Sequence, residues 1–215
     1  MVDWIYLPEG QKAISLSDSL HDAFVEEIHS DRLVRTVTLT ITHPYLVEYH
    51  HLPGDHRFFI CLDTVSALRC NKFRIWPGEY IVPPDASMKD QMKAGEAFNR
   101  KGREQSVDWE SFEQSVNEAD AYLLLLDAEL AQANSSIAVK LTGYLNEDIW
   151  HQITICAESF VIHDSNGKSY ALQQFLQLGE KYREAWRNNQ LNLKDVTRIR
   201  RGPPFVVADE QPDQL

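Results

Sequence analysis

The chain has 215 residues, 43% of them hydrophobic and 25% charged, which is enough apolar material for one sizeable core and far from the composition of a disordered polymer. A formal net charge of -11, from 21 basic and 32 acidic residues, repels phosphate and so argues against nucleic acid, while it favours a basic protein partner. Cys61, Cys70 and Cys156 have neither the number nor the spacing of a disulfide framework or zinc knuckle, and the opening residues lack the basic start and apolar run of a secretory signal, so the expectation is a cytoplasmic protein with no membrane role.

In chain order, the first signals are Leu20-His21-Asp22-Ala23 and the alternation Thr36-Val37-Thr38-Leu39-Thr40-Ile41. Period-two alternation of β-branched residues predicts a strand with Val37, Leu39 and Ile41 on one face and the threonines on the other. His21 beside Asp22 suggests a carboxylate orienting an imidazole. Adjacent strand residues diverge, however, so Asp22, like Asp127, reads as a turn former or a partner for backbone amides.

Residues 43–56 gather His43, His50, His51 and His56 with Glu48 and Asp55, side chains that suit a divalent metal. Their spacing matches no compact metal motif, and Pro44, Pro53 and Gly54 predict a hairpin or loop. No metal and no other cofactor is therefore assigned, with these four histidines as the candidate ligands.

The next segment begins an internal repeat. Residues 56–65 align without a gap on residues 151–160, placing His56 on His151, Ile60 on Ile155 and Cys61 on Cys156. Upstream, Leu20-His21-Asp22-Ala23 matches Leu125-Leu126-Asp127-Ala128, and the alternation of Ile137, Val139 and Leu141 answers that of Val37, Leu39 and Ile41. Two β units, about 20–70 and 123–164, are expected, and neither buries its apolar face alone. Histidine and cysteine five apart on one strand point to opposite faces, so neither His56 with Cys61 nor His151 with Cys156 forms a dyad. With no basic neighbour in sequence, the cysteines read as small buried hydrophobes.

Between the units, about 86–118, the texture turns helical. Met88, Met92 and Phe98 form a weak apolar side over residues 87–102, and Asp108 caps a short helix carrying Trp109, Phe112 and Val116. After the second unit, Asp164-Ser165-Asn166-Gly167 signals a tight reversal. Leu172, Phe175, Leu176, Gly179, Tyr182 and Trp186 then predict a helix with one docking stripe. A terminal strand over 196–200 and a frayed tail over 202–215 complete the reading.

The Ser19-Leu20-His21-Asp22-Ala23 opening, followed by the Thr36 to Ile41 alternation, resembles a loose set of uncharacterised bacterial proteins, some of them similar to predicted immunity proteins of toxin systems. That resemblance implies binding to and blocking a protein toxin, and it carries over no functional residue. The expectation is an α+β fold: duplicated three-stranded antiparallel units with pseudo-two-fold symmetry, a helical connection and an amphipathic C-terminal helix on the sheet, in one domain of residues 1–201. The catalytic residues stay unassigned, and the leading function is a non-enzymatic protein-binding module. The alternative is a metal-dependent hydrolase or small-molecule enzyme using residues 43–56.

Overall fold

The computed structural model describes residues 13–74, 87, 104–118, 121–133, 136–145 and 149–188. The expected helix over 87–102, the strand over 196–200 and the tail lie outside them, apart from Ser87.

The fold is α+β, with four helices among the described residues and a large antiparallel sheet. Strands β2 (Phe24–Asp31), β3 (Thr36–Thr42) and β4 (Arg57–Asp63) form one meander, and β7 (Leu123–Ala133), β8 (Ser136–Leu145) and β9 (Ile149–Ala157) form another. They join where β2 pairs with β7 through Phe24–Leu124 and Val25–Leu123. The strand after each meander crosses to the other: β5 (Ala67–Arg74) runs beside β9, and β10 (Ser159–Asp164) beside β4. Short strands β6 (Glu104–Val107) and β11 (Ser169–Tyr170) extend the two ends, and β1 (Ile14–Ser15) pairs with β7.

The alternation explains the faces. Val37, Leu39 and Ile41 lie opposite Leu62, Ile60 and Phe58 and are buried, whereas Thr36, Thr38 and Thr42 are only half-covered. In the other meander Val139 faces Ile155 and Leu141 faces Ile153, all four fully buried. Ile60 and Ile155 therefore occupy the same kind of ladder position.

The upstream match does not hold. Leu20 ends helix α1 (Ser17–Leu20) and Asp22 turns the chain at φ 66, while Leu125 to Ala128 lie inside β7. Val25 and Leu125 are the comparable residues, each just before a β-bulge. Residues 43–56 also depart from the hairpin expectation, because Pro44 opens helix α2 (Pro44–Tyr49) at a position where its missing N–H costs nothing.

The remaining helices cover the sheet. Asp108 caps α3 (Trp109–Val116) by accepting from Ser111 N at 3.0 Å, and Trp109, Phe112 and Val116 are buried. Helix α4 (Leu172–Arg187) buries Phe175, Gly179 and Tyr182, with Phe175 edge-on to Phe58 at 5.4 Å. The docking stripe ends sooner than expected: Trp186 is 50% exposed, and Arg183 and Ala185 turn inward instead. Before α4, the Asn166-Gly167 reversal is a turn in which Gly167 alone takes positive φ, held by Asp164 Oδ1 accepting from Asn166 N and Lys168 N, both at 3.0 Å. Buried side chains from both meanders and all four helices join in one core.

Candidate functional site

Polar chemistry concentrates where α1, α2 and α4 meet over the end of the first meander. His43 is the N-cap of α2, its Nδ1 accepting from Leu46 N at 3.4 Å. That leaves an Nε2–H donor, buried and with no hydrogen-bond partner among the described residues. Its ring meets Tyr182 edge-on at 5.6 Å and Tyr45 at 6.4 Å. Burial, reinforced by the positive charge of Arg183 and by His21, lowers the His43 pKa to about 3, so the imidazole is neutral at pH 7. Burial likewise pushes the Tyr182 hydroxyl up to about 12.

His21 and Asp22 do meet, contrary to the strand argument, because the chain turns between α1 and β2: His21 Nδ1 lies 2.9 Å from Asp22 Oδ1. The other carboxylate oxygen of Asp22 lies 3.7 Å from the guanidinium of Arg183, which is 8% exposed. That guanidinium sits 5.7 Å from the ring centres of both Tyr182 and Trp186. Tyr49 reaches the same group, 6.2 Å from Tyr182 and 37% exposed. Helical spacing on α4 thus places Tyr182, Arg183 and Trp186 on one side, and α2 adds Tyr49. Asp127, the other expected turn former, is in mid-strand and accepts a hydrogen bond from the Ser17 hydroxyl.

The four histidines of residues 43–56 do not converge. His50 Nε2 lies 2.7 Å from Leu178 O and its pKa is lowered, chiefly by burial. His51 is exposed after α2, and His56 aligns with His43 through the bond from His43 N to His56 O at 3.0 Å. Glu48 belongs to α2, and Asp55 faces Arg57 at 3.2 Å. Among the described residues no group of three or more His, Cys, Asp or Glu side chains is placed to hold a metal ion.

The cysteines divide. Cys70 and Cys156 are buried, and burial raises both thiol pKa values, Cys70 to about 12. Cys61 is half-buried, and its sulfur lies 3.3 Å from His163 Nε2, a partner that sequence proximity could not supply.

No family model matches this chain. No curated protein matches it either. A solved structure described as an uncharacterised protein from Neisseria gonorrhoeae is similar over 71% of this chain and 96% of its own, at 12% identity and a TM-score of 0.31. Among the described residues no helix is long and apolar enough to cross a membrane.

Proposed function

We propose that this chain is a non-enzymatic protein-binding module whose partner is basic, an activity of the immunity-like kind in which a toxin is bound and blocked. The observation that carries this reading is the contiguous group of Trp186, Tyr49 and Arg183. Exposed Trp186 lies against a guanidinium already placed beside Asp22, and exposed Tyr49 joins the group through Tyr182. Trp, Tyr and Arg are the residue types that dominate binding energy at protein interfaces, since each offers broad apolar contact with a polar handle. The net charge of -11 would steer a basic partner toward the surface. The hydrolase alternative draws no support from the scattered placement of His43, His50, His51 and His56.

The same reading includes a duplicated architecture in one domain of residues 1–201, with pseudo-two-fold symmetry about the β2–β7 contact. Its support is the match of Leu39–Ile60 with Val139–Ile155, the bulges after Val25 and Leu125, and the exchange of β5 and β10 between meanders. Phe112 and Phe175, each four residues beyond a helix cap, add to it.

Affinity capture from the source cells with the full chain, beside a Trp186→Ala, Tyr49→Ala variant, tests the binding reading. The expected result is a stoichiometric basic protein retained by the parent and lost by the variant. Retention by both, or no stoichiometric protein at all, overturns it.

A further inference from the structure

Cys61 and His163 meet on the sheet face opposite the core. Across the ladder Thr38, Cys61 and Val161 are direct neighbours, and Thr40, Phe59 and His163 form the next rung, which makes Cys61 and His163 a diagonal cross-strand pair. Cys61 Sγ lies 3.3 Å from His163 Nε2, within reach of proton transfer. The imidazole is held in place on two sides: Phe59 stacks on it at 5.1 Å and 21°, and its Nδ1 lies 3.4 Å from Asp164 O. A bond from Nδ1–H to that carbonyl selects the tautomer whose Nε2 is the acceptor facing the thiol. The Thr38 hydroxyl lies 3.9 Å from the sulfur, and Val161 beside it is 41% exposed, so small reagents reach this face.

We propose that Cys61 is a nucleophilic, oxidant-sensitive thiol with His163 as its base, a modification site that takes hydrogen peroxide and related small peroxides. His163 Nε2 accepts the thiol proton as the sulfur attacks one peroxide oxygen. The S–O bond forms, the O–O bond breaks, and the departing hydroxide takes the proton from the imidazolium to leave as water. Sulfur is oxidised by two electrons to the sulfenic acid, and the peroxide is reduced. Cys70 and Cys156, buried and with raised pKa values, stay thiols under the same exposure.

The full chain is treated with hydrogen peroxide in the presence of dimedone, and each cysteine is followed by peptide mass mapping. The expected outcome is one adduct, at Cys61, forming at least about tenfold more slowly in His163→Gln at an unchanged melting temperature. In His163→Ala, added imidazole restores the rate, which a merely structural role for the ring would not produce. Labelling spread equally over the three cysteines, or a Cys61 rate that is the same with and without His163, overturns the proposal. Should both histidine variants unfold, the parent still decides the matter: Cys61 no faster than free glutathione under the same peroxide excludes activation.

Discussion

The two meanders differ most at the rung where the first has His43 facing His56 and the second has Gly143 facing His151. In the first, the chain leaves the sheet after that rung and forms α2; in the second, the ladder continues to Leu145 and Ile149. A side chain at Gly143 is forbidden, since a Cβ there would lie 2.3 Å from Leu124 O. At His43 there is room, and α4 covers the imidazole with Tyr182. His151 instead meets Phe112 of α3, with ring centres 5.2 Å apart. The cysteines repeat the contrast. Cys61 faces Thr38 and Val161 with His163 diagonal to it, whereas Cys156 lies between Ala67 and Ala138 and is 3% exposed. Strand pairing sets where a residue sits, and the covering element decides whether its chemistry is used.

The largest effects should come from the phenylalanines buried beneath α3 and α4. Phe112 and Phe175 are both almost fully buried beneath their helices. Replacing either with Ala removes apolar contact and leaves a cavity, a loss of about 3–5 kcal/mol in each case. Urea unfolding of both variants is the measurement, and a Phe175→Ala loss under about 1 kcal/mol, with Phe112→Ala in range, would break the equivalence of the two helices.

His43 predicts an effect confined to the first half. Its folded pKa, about 3, is below the ordinary imidazole value of 6.5 that the unfolded chain keeps, so the unfolded chain binds the proton more readily between them. The contribution is fully present above pH 6.5 and is lost as pH falls toward about 3, at roughly 1.4 kcal/mol per pH unit at most. Stability measured from pH 7 to pH 4 should fall by about 3 kcal/mol more in the parent than in a folded His43→Gln variant. Parallel curves for the two would show that the buried imidazole is not the acid-labile element.

The strand pattern of both meanders was legible because period-two alternation is written in adjacent residues: Val37, Leu39 and Ile41 could be assigned to one face before any contact was known. The correspondence of Ile60 with Ile155 was legible from the gapless match of residues 56–65 with 151–160. Helix α2 was not, because Pro44 both breaks strands and begins helices, and the sequence around it favours neither choice. The assignment of Trp186 to the core failed because the buried face of α4 runs through Tyr182, Arg183 and Ala185, which turns Trp186 outward. The Cys61–His163 pair and the meeting of Asp22 with Arg183 join residues far apart in sequence, and only strand order and helix docking bring them together.

The smallest of the effects concerns how the two helices are seated. Eight residues beyond its cap, α3 has Val116, fully buried, and α4 has Gly179. The difference follows from α1, which lies over α4: the Ser19 hydroxyl donates to Phe175 O at 3.0 Å, and a Cβ on Gly179 would stand 2.5 Å from Ser19 N. Alanine in mid-helix ordinarily gains up to about 1 kcal/mol over glycine. Here that gain opposes a backbone overlap that only a shift of α1 can relieve, at about 1–3 kcal/mol. Gly179→Ala should therefore destabilise by about 1 kcal/mol net in denaturant titration. Net stabilisation by Gly179→Ala would mean that α1 yields freely, and the tight seat over α4, along with the fixed placement of Asp22 beside Arg183, would have to be abandoned.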